Sequence, residues 1–207
     1  MTATAGPTSR LETLATVLLA LATVATAWSG YEASRWNGEQ SKAFARASAL
    51  RIESSKADAL ANSLTQIDIA TFIQWVDASV AGKKKLAQFY RQRFRPEFRP
   101  AFDAWLATHP VTNPKAPLTP FAMPQYVVAE AVKAEQLNRN AGVHATAADH
   151  ANTRANDYVL AVVLFAACLF FAGISTKLRS LRQREVLLGI GWAIFVGTVV
   201  WVLALAV

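Results

Sequence analysis

The chain has 207 residues, of which 53% are apolar and only 17% charged, with a formal net charge of +7. An average soluble domain carries roughly 25% charged residues, and nine glycines and eight prolines are too few for a disordered or collagen-like chain. One cysteine excludes a disulfide framework and a thiolate metal cluster, and the crowding of apolar residues at both ends points to an integral membrane protein.

Residues 1–10 read as a short cytoplasmic tail and 11–28 as a first span, rich in Ala and Thr with Glu12 near its inner end. Ala25-Thr26-Ala27 has the small-x-small form of a signal-peptide cleavage site. Against cleavage, the preceding segment holds a single arginine, Arg10, beside the acidic Glu12, so an uncleaved anchor is the expectation.

From Tyr31 to about Ser79 the sequence predicts helix, Ala-rich and free of proline. Ala43, Ala47, Leu50, Ser54, Ala57, Ala61 and Leu64 step by alternating four and three residues, a heptad seam of mostly small side chains. Ile67, Ile69, Phe72, Ile73, Trp75, Val76 and Val80 are more apolar, and Gly82 is the expected break before Lys83-Lys84-Lys85. A short helix is predicted through Phe89, Phe94 and Phe98 to Trp105, punctuated by Pro96 and Pro100. Pro110, Pro114, Pro117, Pro120 and Pro124 then predict an extended strap over a small aromatic core.

The returning helix should run from Gln125 into the second span. Its seam reads as Ala131, Ala134, Asn138, Ala141, Ala145, Ala148, Asn152 and Ala155, with Asn138 and Asn152 fixing register against the first seam in an antiparallel hairpin. Residues 158–176 and 186–207 hold no charge and reach about 28 and 33 Å as helix, enough for the hydrocarbon core. The turn over 177–185 carries Lys177, Arg179, Arg182 and Arg184 against Glu185. Short basic loops stay in the cytoplasm, so residues 29–157 are expected outside, as an extracytoplasmic helical domain of a bacterial inner-membrane protein. The fold class expected is all-α: three transmembrane helices with a helical hairpin and a helical, proline-rich head.

Catalytic and metal-binding patterns are sparse. His144 and His150, six apart, point about 120° away from each other on one helix, and Cys168 lies mid-span as a packing residue. No phosphate loop, nucleophile elbow or metal-ligand spacing occurs, so no catalytic residue, cofactor or metal is assigned. Arg91, Arg93, Arg95 and Arg99 interleave with aromatic residues. In the cytoplasm such a stretch would suggest single-stranded nucleic acid; outside it, no nucleic acid is expected. Its arginines then either pair with Glu97, Asp103 and other acids or, with Lys83, Lys84 and Lys85, contact an anionic envelope component or partner. The spans offer small-residue faces for helix packing, Gly189, Ala193 and Gly197 on the third and Cys168, Ala172 and Thr176 on the second.

The stretches EASRWNGEQ (Glu32–Gln40), RFRPEFRPAFDAW (Arg93–Trp105), NPKAPLTPFAMPQY (Asn113–Tyr126) and ANDYVLAVVLFAACLFFAGI (Ala155–Ile174) carry a resemblance. With them the chain resembles a family of bacterial membrane proteins that have one N-terminal span, a helical middle domain and a C-terminal pair of spans. The resemblance implies that architecture and brings no activity.

The leading expectation is a non-enzymatic scaffold or accessory subunit, in contact with the lipid bilayer and with further copies or a membrane-protein partner. The alternative is a homo-oligomeric channel or small-solute permease. An enzyme acting on lipid or peptidoglycan would have to draw on Asp68, Asp77, Glu97, Asp103 and His109.

Overall fold

A computed structural model describes residues 7–205, with side chains from Arg10 onward. Residues 1–6 of the expected 1–10 tail and the last positions of the third span, 206–207, lie outside the described residues, and 7–10 are helical. The described residues form helix α1 (Pro7–Val80), α2 (Lys84–Arg93), α3 (Arg99–Ala107), a 3-10 turn (Pro120–Ala122), α4 (Ala129–Ser175) and α5 (Leu181–Leu205). No strand occurs among them. Helices α1, α4 and α5 are each long and apolar enough to cross a membrane, as a multi-pass membrane protein requires.

The chain divides into two compact units, Met1–Ala45 with His144–Val207, and Arg46–Val143. The first contains the three apolar stretches. Ala15 and Leu18 of α1 pack with Ala172 of α4 and Leu188 of α5, flanked by Leu11, Leu19, Trp192 and Phe195. Close approach depends on Gly191: a Cβ there would lie 3.1 Å from Leu18 Cδ2 and 3.5 Å from Phe171 Cβ. In lipid, where helices gain nothing by hiding apolar surface from water, such contact is the main source of association. Threonine hydroxyls within the apolar stretches bond locally, whereas the Trp192 indole nitrogen is buried without a partner. Thr23 donates to the Leu19 carbonyl, Thr26 to Ala22 and Thr198 to Ile194, each one turn back.

The connection between the second and third apolar helices is shorter than the sequence suggests. Helix α5 begins at Leu181, so Arg182, Arg184 and Glu185 belong to its first turns. Arg184 donates to the Ser175 carbonyl at 3.1 Å and pairs with Glu12 at 3.4 Å. The beginning of the apolar part of α1 and the basic turn therefore lie at the same end of this unit.

In the second unit α1 ends in a Schellman motif. Gly82 adopts a positive φ of 70°, its amide donates to the Ser79 carbonyl, and the Lys83 amide donates to Ala78. The expected single helix over Phe89–Trp105 is instead two, α2 and α3, separated at Phe94–Phe98. Pro96 removes an amide and disfavours helix at Arg95, and Pro100 is accommodated in the first turn of α3. The proline-rich segment is not an extended strap but a series of turns closed by the 3-10 helix. Helix α4 starts at Ala129, with the Val128 carbonyl accepting from Ala131 and Val132. That is four residues later than Gln125, because Tyr126 is held in a turn on the Met123 carbonyl.

Along α1, Ala47, Ala57 and Ala61 are buried, with Leu50, Ser54 and Leu64 half-buried. Ser54 donates across to the Ala134 carbonyl of α4 at 2.7 Å, while Tyr126 reaches Thr65 and Asp68. Within this unit the two chain segments thus run antiparallel. The register of α4 differs from the expected one: Ala134 and Ala141 are buried, but Leu137 takes the intermediate position and Asn138 is exposed. In the first unit Ala148, Ala151 and Ala155 are buried and Asn152 is exposed. Neither asparagine fixes register. In each case the more apolar of the i+3 and i+4 neighbours, Leu137 and Ala151, takes the more buried position, and the exposed asparagines remain in solvent.

The core of the second unit is aromatic. Phe72, Phe94, Phe98, Phe102 and Trp105 are buried together, with Trp75, Val76, Leu106, Phe121, Met123 and Tyr126 against them. Phe72 joins α1 to the rest, meeting Trp105 at 5.4 Å and Phe121 at 5.7 Å between centroids, both edge-on. The Trp105 indole donates to the Pro117 carbonyl at 2.7 Å and so fastens the proline-rich segment.

Candidate functional site

The arginine–aromatic stretch projects from α2, the link after it and α3, and the structure gives each arginine a local partner. Arg91 pairs with Asp103 at 2.9 Å and lies over the Phe102 ring. Arg93 lies 4.0 Å above Phe89. Arg99 donates to the Gln92 and Phe94 carbonyls, capping the open end of α2. Arg95 is turned inward, with Glu97 at 3.3 Å and Asp68 at 3.7 Å.

Arg91 and Arg99 share a cleft of about 320 Å³ with Gln88, Gln92 and Asp103. Lys84 lines a second cleft, of about 410 Å³, with Arg91, Trp75 and Ser79. Lys83 precedes α2, and Lys83, Lys84 and Lys85 are all exposed. The seven cations are therefore not convergent: Arg91, Arg99 and Lys84 face clefts, Arg95 faces the interior, and Arg93 stacks on its own helix.

Beneath the rings is a buried polar group that the sequence shows only as a carboxylate between two isoleucines. Asp68 is fully buried. Its Oδ2 accepts from the Tyr126 hydroxyl at 3.1 Å, and that hydroxyl lies 3.3 Å from Thr65 Oγ1. Oδ1 of Asp68 and Nη1 of Arg95 are buried without a hydrogen-bond partner. Burial pushes the Asp68 carboxyl above its ordinary range against the pull of Arg95 and Tyr126, and the Glu97 charge adds to the rise. Burial likewise raises the Tyr126 phenol, and the Asp68 charge reinforces it. Glu97 is held below its usual value by a backbone hydrogen bond and by Arg95. The pairing of Asp68 with Tyr126 across 58 positions has no local sequence signal.

Chemically this cluster is a tether: it ties the Phe94–Phe98 link and the start of the α4 approach to α1. Among the described residues no group of three or more His, Cys, Asp or Glu side chains lies close enough to hold a metal ion.

In the first unit the two small-residue faces differ. Cys168 and Ala172 are fully buried within the chain, and Thr176 is exposed with its hydroxyl on the Gly173 carbonyl. Helix α5 turns Leu188, Gly191 and Thr198 inward. Gly189, Ala193 and Gly197 all face outward, and a Cβ at either glycine would meet nothing within 4 Å. Comparison with protein-family models, with curated proteins and with solved structures finds no match.

Proposed function

We propose that the protein is a non-enzymatic scaffold or accessory subunit of a bacterial inner membrane. In this reading residues 29–157 form an extracytoplasmic helical hairpin with a small aromatic, proline-containing head, and the 177–185 turn is cytoplasmic. The observation that carries it is the open Gly189/Ala193/Gly197 face of α5, which the chain's own packing leaves free for a helix of another copy or partner. The internal engagement of Arg91, Arg93, Arg95 and Arg99 supports a head built for rigidity. The Glu12–Arg184 pair supports a common side for the chain start and the basic turn.

Extraction in mild detergent, cross-linking and mass measurement test the reading. An assembly of copies or a stoichiometric membrane partner is expected, and a strictly monomeric species without a partner would refute it. Single cysteines at Lys84 and Arg182 in a Cys168→Ala background, labelled in intact cells with an impermeant reagent, test the orientation. Labelling at 84 and protection at 182 are expected. The same open face favours a second reading, a homo-oligomeric channel or small-solute permease with α5 near the axis. Solute flux through liposomes containing the purified protein distinguishes it.

A further inference from the structure

Just past the apolar part of α1, Trp28, Glu32, Arg35 and Trp36 follow one another at i, i+4, i+7 and i+8 and share a helix face. Helix α4 brings Arg154 to this face, and α5 brings Val202 and Leu203, around a cleft of about 280 Å³ within the first unit. Glu32 is buried, its side chain 7% exposed, and Arg35 reaches it at 3.3 Å. The Arg154 guanidinium lies 4.8 Å from the Trp36 ring centre and that of Arg35 lies 5.9 Å from it. Two guanidiniums thus lie against one indole, and the one carboxylate lining the cleft, Glu32, is paired with Arg35. Asp157, one turn along α4, does not line the cleft. The cleft is left with surplus positive charge beside an apolar wall.

Its depth identifies the occupant. Arg35 lies seven residues beyond Trp28 and Arg154 four residues before Tyr158, about 10 and 6 Å from the ends of the apolar stretches. The polar layer on each side of a bilayer's hydrocarbon core is about 5–8 Å thick. Helix side chains lean toward the N-terminus, so Arg35 reaches back from its backbone level toward Glu32 and Trp28, and both guanidiniums come to about the level of lipid phosphates while Val202 and Leu203 remain beside acyl chains. A soluble anion would gain nothing from that wall.

We propose that this cleft binds one anionic phospholipid, its phosphate between Arg35 and Arg154 and its acyl chain along Val202 and Leu203. Guanidinium groups make strong, directional, charge-assisted hydrogen bonds to phosphate. Trp36 holds both guanidiniums in place through its ring face, and Glu32 orients Arg35. The proposal rests on the three helices crossing a bilayer and is independent of the scaffold role.

The test is native mass spectrometry of the full chain released from nanodiscs of equal phosphatidylglycerol and phosphatidylcholine. The expected result is one retained phosphatidylglycerol per chain. Arg35→Gln with Arg154→Gln should lower its retention by about tenfold or more, as the loss of charge-assisted contacts implies. Arg154→Gln alone, an exposed site, guards against misfolding of the double variant and should still lower retention severalfold. Arg139→Gln, which removes one charge elsewhere, should leave it unchanged. Equal retention of the two lipids, retention that survives the double substitution, or loss of the lipid to millimolar inorganic phosphate would overturn the proposal.

Discussion

Replacing Phe72 by alanine should open the second unit selectively. Phe72 is 8% exposed and is the α1 residue around which the aromatic core closes. Its ring meets Trp105, Phe121, Phe98 and Phe102 edge-on at 5.4 to 6.5 Å. Phe→Ala substitutions in packed cores cost about 3–5 kcal/mol from lost transfer energy and the cavity left behind. Favourable ring pairs add about 0.5–1.5 kcal/mol each, though the shared partners forbid summing them. The facing rings come from the link before α3, α3 itself and the 3-10 turn, and the Trp105–Pro117 hydrogen bond fastens α3 to the proline-rich segment, so the cavity cannot close cheaply. The cost should fall in the upper half of the range, about 4–5 kcal/mol. The neighbouring Ile73 is 50% exposed, and Ile73→Ala should cost under about 1 kcal/mol. Both variants of the full chain in nanodiscs can be followed by limited proteolysis of the 108–119 segment against denaturant. A loss below about 1.5 kcal/mol for Phe72→Ala, or equal losses for the two variants, would refute the assignment of Phe72 as the joint of this core.

Three further outcomes follow from the packing. Gly191→Leu should destabilise the first unit by about 1–3 kcal/mol through overpacking against Leu18, whereas Gly189→Leu should leave its melting unchanged and shift the detergent-solubilised mass toward monomer. Trp105→Phe keeps most of the ring but strands the Pro117 carbonyl; a cost of about 1 kcal/mol and faster cleavage within 108–119 are expected. The folded-state value of Asp68 is raised, so its protonated form favours folding: its contribution to stability is full below the unfolded carboxyl range and is lost as pH rises through the folded value. Thermal melts of wild type and Asp68→Asn across pH 4 to 7, with Trp75 and Trp105 as reporters, should therefore show a gain on acidification that the variant lacks.

The helical class and the three apolar helices were legible because both depend on local properties, namely charge-free length and the absence of proline. The helix stop at Gly82 was legible for the same reason, since a left-handed residue before a lysine run closes α1 by backbone hydrogen bonds alone. The seam on α4 was half legible. Positions 134, 141, 148 and 155 could be read from spacing, but a seven-residue repeat alone does not say whether the i+3 or the i+4 neighbour turns inward, and Leu137 and Ala151 replace Asn138 and Asn152. The aromatic core was legible in composition and not in form. Pro96 divides α2 from α3, and the proline-rich segment folds into turns because Trp105 and Phe121 give it something to fold onto. Asp68 and Tyr126 were illegible as a pair, as were Trp36 and Arg154, because both pairings join residues that only the return of the chain along α4 brings together.

Helices α1 and α4 each run through both units, and the same small-residue packing serves in each for different reasons. Burying one methyl group from water stabilises by roughly 0.8 kcal/mol, against about 1.5–3 kcal/mol for a phenylalanine side chain. In the second unit the buried positions Ala47, Ala57, Ala61, Ala134 and Ala141 therefore contribute little each, and the Ser54 hydrogen bond to the Ala134 carbonyl sets register more than it adds stability. Holding α1 there to the segment that leads into α4 falls to the aromatic core and to the Asp68–Tyr126 contact beside it. In the first unit the apolar stretches have no water to escape, and close contact itself becomes the source of stability, as at Gly191 against Leu18. A substitution that enlarges a seam alanine should thus be tolerated differently in the two units: by a shift of exposed helices in the second, and only at the expense of helix contact in the first. That difference also explains why the outward face of α5 is the informative one. Small residues there serve no contact within the chain, and in lipid they stabilise nothing until another helix is brought against them.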